Sequence, residues 1–436
     1  MPTESASSPS KPGDGIHHRL VAVQGSAQLA SALAAIRAAD RARPTRVTQN
    51  HLIVHDLSTP DEQVQGFVNA LQVLSAQAES WSSVRYVSQA DLIEFDRRRM
   101  HGGWSVACLG LRESIGIPCC DELLLGQNLL FMNKLLRMSY PRASAACYGD
   151  GIGLNFSHDY YNPKSLQRGL RGSVRRLKTK WKSLLRRFSA MPLNLPHLTE
   201  NAVHFDQYYL LVANGFDQHL AHFEQLDAAD FIDVFALFSI TLSKYSKHLC
   251  DELDGAIRQA DQVVFLLTSN FSESKRMTLE SELHCCIEQV TQQQRSDNAL
   301  LIIKPHPRDS EAKIAALKTE ALKHFKSVIA FTDPWTFFIP FEAIFARFIA
   351  SDTNNSAKTS VVCSSSACVS LELLYGQRCQ LGFGADNVVK HFSDAWRELR
   401  CQHEADLHRL LLNIRSASEP KDVNAARRVY AYRPGS

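Results

Sequence analysis

The alternation of apolar and polar positions divides the chain into two rhythmic blocks with an irregular stretch between them. From residue 19, "RLVAVQG" predicts a short strand and "SAQLASALAAIRAA" a helix capped by Ser26. "HLIVHDL" follows as a strand and "PDEQVQGFVNALQVLSAQ" as a helix with Pro60 near its start. "VRYVSQADLIEF" and "GGWSVACLGL" have weaker strand character, "CDELLLGQNLLFMNKLLRMSY" reads as a helix, and "ASAACYGDGIGLNF" as a strand entering a tight turn. The second block starts near 255. There "QVVFLLTSNF" predicts a strand, "MTLESELHCCIEQVTQQQ" a helix, "ALLIIKPHP" a strand and "EAKIAALKTEALKHF" a helix, and the same style continues to about 384. Strand-helix alternation at these lengths implies parallel sheets covered by helices on both faces.

A chain of 436 residues exceeds one ordinary core and suits two domains of roughly 150 to 250 residues each. The expected division is a disordered lead-in over 1–16, an N-terminal α/β domain over 17–255, a C-terminal α/β domain over 256–400 and a helical tail over 401–436. No apolar run reaches the roughly 18 residues that span a bilayer, and "MPTESASSPSKPGDG" has neither the cationic start nor the apolar core of a secretory signal. Eleven scattered cysteines, with adjacent pairs at Cys119/Cys120 and Cys285/Cys286, lack the spacing of a disulfide framework, so a reducing cytoplasm is expected. There is no CxxC or HExxH to suggest a zinc site.

The net charge of +3 is small, but its distribution is uneven. Lys164 to Arg187 holds ten basic residues and no acid, among them Arg171, Arg175, Arg176, Lys178, Lys180, Lys182, Arg186 and Arg187. Leu166, Leu170, Val174, Leu177, Trp181, Leu184 and Phe188 recur at steps of three and four, which predicts a basic amphipathic helix over about 164–188. Such a helix packs on its own protein, lies on an anionic membrane or grips a polyanion. A single aromatic before Phe188 provides poorly for base stacking, which argues against nucleic acid.

Three stretches carry chemistry. In "LLIIKPHPRDS" a strand ends in His306, held between Pro305 and Pro307 and flanked by Lys304 and Arg308. The prolines restrict the backbone, and a fixed imidazole beside cations suits a phosphate oxygen or a leaving group. In "VVCSSSACVSLELLYG" a strand meets Ser364, Ser365 and Ser366 and then a helix from about Ala367. Hydroxyls at a helix N-terminus form an anion site on the positive end of the dipole. In "CYGDGIG", Asp150 lies between glycines at a strand end, where its carboxylate can act as a base or simply build a turn.

With these residues in order, the chain resembles the bacterial sialyltransferases and capsule polysialyltransferases that use CMP-activated sugars, over about 140–385. Their acidic-acidic-Gly, His-Pro and Ser-rich motifs correspond here to Gly149-Asp150-Gly151, His306-Pro307 and Ser364-Ser365-Ser366, and "PFEAIF" with Glu342 is similar to their Pro-x-Glu stretch. The first acidic position is Gly149, which leaves Asp150 as the carboxylate of that motif. The resemblance implies a GT-B fold, two Rossmann-like domains facing across a cleft. It further implies inversion at the sugar without a metal or other cofactor, with Asp150 as base and His306 on the leaving CMP phosphate. Lys304, Pro307, Glu342 and the three serines would then bind the donor nucleotide, and Gly151, Thr268, Ser269 and Asn270 would line the cleft. The implied partners are CMP-sialic acid, a glycan acceptor, and an anionic membrane surface or capsule assembly proteins on the inner face of the cytoplasmic membrane. "KPHP" with a serine pair is also similar to transferases of CMP-Kdo or CDP-polyols. A non-catalytic polyanion- or membrane-binding protein built on the basic segment is the remaining alternative.

Overall fold

The computed structural model describes residues 16–55, 59, 61–128, 130–149, 203–212 and 222–418. Residues 1–15 of the lead-in, Pro60, Asp150, Gly151, the whole basic segment with its eight named cations, and residues 419–436 of the expected tail lie outside the described residues.

The first block folds as β1 (His17–Val23), α1 (Ser26–Ala42), β2 (Thr48–His55), α2 (Val64–Ala78), β3 (Ser83–Val87), α3 (Gln89–Ile115), β4 (Glu122–Leu125), α4 (Phe131–Ser139) and β5 (Ser144–Cys147). The short strands β6 (Gln207–Leu210) and β7 (Phe223–Gln225) complete a parallel sheet of order β3-β2-β1-β4-β5-β6-β7. Helices α5 (Ala228–Tyr245) and α6 (Lys247–Gln259) lead to the second block. That block holds β8 (Gln262–Leu267), α7 (Leu279–Gln293), β9 (Ala299–Lys304), α8 (Glu311–Ala321), β10 (Ser327–Ala330), α9 (Pro334–Phe338), α10 (Phe341–Phe345) and α11 (Thr353–Ala357). It ends with β11 (Thr359–Cys363), α12 (Ala367–Tyr375), β12 (Cys379–Leu381), α13 (Ala385–His391) and α14 (Asp394–Ser418). Its parallel sheet has the order β10-β9-β8-β11-β12. Every residue of β8 and β9 is buried, as expected of parallel strands covered on both faces.

Three strand-helix expectations are corrected. In "VRYVSQADLIEF" only the first four residues are strand, in β3; Ser88 then caps α3 by accepting from Asp91 N, so "QADLIEF" is helical. "GGWSVACLGL" lies within α3, which kinks at Gly103 (φ 77°). Cys108, Leu111 and Ile115 bury one helical face there, so the apolar positions follow the helical period. "CDELLLGQNLLFMNKLLRMSY" divides into β4 and α4, because the run "ELLL" pairs with β1 and β5 as a buried strand. Such a short apolar run has no period to reveal its type. Gly126 breaks the two elements apart, and a Cβ there would come within 3.1 Å of the Gly149 carbonyl oxygen. Ser26 also departs from its expected role. Gly25 is the N-cap, and the Ser26 hydroxyl instead donates to the Phe338 carbonyl in the other block.

The two sheets meet through their C-terminal edges, the GT-B arrangement of two parallel α/β units. Besides Ser26 to Phe338, Gln63 Nε2 donates across to the Asp309 carbonyl at 3.4 Å. Helix α5 packs on α1 and α2 on one side and on α10 and α12 on the other. Arg41 grips Asp230 of this helix bidentately at 2.7 and 2.8 Å, and Thr241 Oγ1 donates to Gln77 Oε1 at 2.5 Å.

Candidate active site

In the second sheet the connections leaving β8 and β11 run to opposite sides, so the crevice between their C-terminal ends is a topological switch point, where open α/β sheets bind ligands. Thr268, Ser269 and Asn270 follow β8, and Ser364, Ser365 and Ser366 follow β11. The two turns touch there, with Ser269 Oγ and Ser364 Oγ 2.7 Å apart. Ser366 sits at the start of α12 in helical geometry without a side-chain cap. The hydroxyls of Ser365 and Ser366 are half-buried and engage no other described side chain. They stand at the positive end of a nine-residue helix.

His306 follows the adjacent strand, β9, in a turn whose geometry comes from its own short sequence. Asp309 N donates to the His306 carbonyl at 2.9 Å, placing Pro307 at the second turn position, which proline favours. Arg308 N donates to His306 Nδ1 at 3.1 Å. That bond assigns the ring proton to Nε2, which has no partner among the described residues. Burial, reinforced by Arg308, Lys313, Lys304 and Arg276, holds the imidazole well below its ordinary pKa. The ring is therefore a neutral N–H donor surrounded by cations, suited to an anionic oxygen.

Asp309 and Lys313 hold this turn to its neighbours. Fully buried, Asp309 accepts from His306 N at 3.0 Å and from the Thr268 hydroxyl, and its other oxygen accepts from Lys313 Nζ at 2.9 Å. Lys313 Nζ also donates to Ser269 O at 2.5 Å, Glu282 Oε1 at 2.7 Å and Glu273 Oε2 at 3.2 Å. Burial opposes its charge, but Asp309 and Glu282 more than offset that and raise its pKa. Glu282 in turn accepts from Ser272 N at 2.8 Å, so one ammonium organises both the turn after β8 and the turn after β9.

Lys304 and Glu342 point into the protein. Lys304 Nζ donates to the carbonyls of Phe337 at 2.7 Å and Pro305 at 3.1 Å, and burial lowers its pKa to about 7. Glu342 is buried, its pKa raised by that burial, and it accepts from Ser370 on α12 at 2.5 Å. It therefore ties "PFEAIF" to the helix that begins with the serines. Asn270 is half-buried at the mouth of the same crevice.

The structure thus brings Thr268, Ser269, His306 and Ser364 into one contiguous set of turns. On the other lobe, Gly149 (φ 89°) adopts the left-handed geometry expected where "CYGDG" turns. Asp309, Lys313, Glu282 and His55 were not singled out from sequence. Asp309 lay in plain view, three residues after His306 where a turn can close, but Lys313 and Glu282 read as ordinary helix-surface charges.

Residues 172–376, which carry the His306 and serine turns, match the family model for alpha-2,8-polysialyltransferase. This is the family to which the motif resemblance pointed, and the enzyme class shown by the match is glycosyltransferase. No curated protein matches the chain. Among solved structures, the Photobacterium sp. 2,6-sialyltransferase in a ternary complex with CMP and lactose is 12% identical, covering 90% of this chain and 76% of its own, with a TM-score of 0.39. The UDP-GlcNAc 2-epimerase of Neisseria meningitidis bound to UDP-GlcNAc is 9% identical, covering 81% and 79%, with a TM-score of 0.38. The heptosyltransferase of E. coli with ADP is 11% identical, covering 83% and 86%, with a TM-score of 0.34.

Proposed function

We propose that the protein transfers sialic acid from CMP-sialic acid to a hydroxyl of a surface or capsular glycan, with inversion and without a metal. The observation that carries this reading is the His306 Nε2–H, held neutral beside the serine-lined switch point in a segment that matches the polysialyltransferase family. The family description favours a sialic acid chain as acceptor, joined through α2,8 linkages.

In this mechanism Asp150 takes the proton of the acceptor hydroxyl as its oxygen attacks C2 of the sialyl group. The C2–O bond to phosphate breaks on the opposite face, and CMP leaves with the bonding electrons. His306 Nε2–H, the hydroxyls of Ser364, Ser365 and Ser366 and the N-terminal dipole of α12 meet the charge that develops on the phosphate. No Asp-x-Asp pair occurs in the sequence, so these groups take the part a divalent cation plays in other transferases. Lys304 and Glu342 shape the site from beneath, Asn270 and Pro307 line its rim, and Gly151 is assigned to the cleft by the motif resemblance alone. The basic segment over 164–188 would hold the enzyme on an anionic inner membrane surface or hold the polymer.

The test is CMP release from CMP-sialic acid with an α2,8-linked sialic acid oligomer as acceptor, alongside CMP-Kdo and a CDP-polyol. Turnover with CMP-sialic acid is expected to survive EDTA, and His306→Ala should lower kcat by about 10²–10³-fold. Full turnover by Asp150→Ala would remove Asp150 as base, and a preference for CMP-Kdo or the CDP-polyol would reassign the donor.

A further inference from the structure

The edge of the first sheet that meets the His306 turn is polar, largely buried and short of hydrogen bonds. His55, the last residue of β2, has no exposed surface, and neither Nδ1 nor Nε2 has a hydrogen-bond partner. Val23 of β1 pairs with Val54, so Gln24 leaves the neighbouring strand at the level of His55. Gln24 Nε2 is also a buried atom without a partner. Gln63, on the turn before α2, has an unpartnered Oε1 while its Nε2 reaches the Asp309 carbonyl across the lobes. Arg308 of the His306 turn lies near enough for its charge to bear on His55.

Unmet buried polar atoms cost stability, so several along one sheet edge at a lobe junction point to a ligand that meets them. Their chemistry is specific. Gln24 Nε2 donates, Gln63 Oε1 accepts, and the His55 ring, which burial and then Arg308 hold down to about 3, offers one N–H and one lone pair. An anion would answer only the donors and a cation only the acceptors. Hydroxyl groups, each both donor and acceptor, answer all of them. We infer that His55, Gln24 and Gln63 form a subsite for the hydroxyls of the acceptor sugar, opposite His306. This inference rests on the transferase reading and adds the residues that would grip the acceptor.

The test is His55→Phe, which keeps the ring volume and removes both nitrogens, assayed with whichever acceptor the wild type uses, an α2,8-linked sialic acid oligomer or lactose. The acceptor KM should rise about tenfold, as expected for loss of one or two uncharged hydrogen bonds, with the KM for CMP-sialic acid within about twofold of wild type. The melting temperature should stay level or rise by about 1–3 °C, because the orphaned nitrogens are gone. His55→Gln, which retains a donor and an acceptor, should hold the acceptor KM within about threefold of wild type. An unchanged acceptor KM in His55→Phe, or an equal rise in both KM values, would overturn the subsite. If His55→Phe does not fold, the glutamine variant decides, and a tenfold loss or insolubility there overturns it too. A wild type that uses neither acceptor is a separate result, which sinks the transferase reading itself.

Discussion

His55, His306 and His403 share a property that makes acid an informative perturbation of this protein. Burial lowers each pKa, to about 3 for His55 and His403 and well below the ordinary value for His306, with nearby arginines adding to the effect. The free imidazole titrates near 6.5, so between that value and about 3 the unfolded chain binds protons that the folded chain refuses. Stability therefore falls as pH drops below about 6.5, by up to about 1.4 kcal/mol per pH unit for each such histidine. Urea denaturation at pH 7, 6 and 5 should show this decline, and His55→Phe should flatten it by one proton's share. A decline equally steep in the variant would show that His55 does not contribute. The histidines themselves were legible in the sequence only in part. The prolines around His306 announced a fixed ring, whereas His55 ends "HLIVH" with nothing local to mark its missing partners.

Among the elements, α8 has the most unexpected role. Its sequence "EAKIAALKTEA" reads as a surface helix with a scattering of charges, and Ser310 caps it by accepting from Lys313 N at 3.3 Å. Lys313 nevertheless turns inward, to three carboxylates and the Ser269 carbonyl, and so links α8 to α7 and to the turns after β8 and β9. Lys313→Met leaves buried carboxylates without their counter-charge, and it should cost about 3–5 kcal/mol in chemical denaturation. In the variant that still folds at low temperature, loosened turns at Ser269 and His306 should also raise the KM for CMP-sialic acid. A loss under about 1 kcal/mol would show the network to be dispensable. Strand-helix alternation revealed β8, β9, β11 and the helices between them, because β-period and helical-period patterns differ along the chain. It misassigned β4 and both the start and the second half of α3, where four consecutive apolar residues, a strand running straight into a capped helix, or a glycine-interrupted helix carry no clean period.

For the whole molecule the two sheets share one hydrophobic core. Val21 and Leu52 of the first sheet and Phe265, Ile302 and Val361 of the second belong to one packed cluster, with Phe231, Phe235 and Phe238 of α5 among them. Gly66 of α2 closes the contact with α9, where a Cβ would lie 3.2 Å from Pro334 Cβ. A shared core and the polar ties between the lobes predict a single cooperative unfolding transition, checked by comparing calorimetric and van't Hoff enthalpies. Two resolved transitions would show that the lobes are energetically separate.

Local pattern was sufficient to establish the α/β class, the His306 turn and the serine turn, because periodicity, proline and serine at a strand end act over a few residues. Sheet order brought Ser269 to Ser364, folding turned Lys304, Glu342 and Lys313 inward, and the packing of one lobe against the other set His55 opposite Arg308. These are contacts between residues up to hundreds of positions apart, and whether a charged or polar side chain faces water or a buried partner depends on what the rest of the chain places beside it.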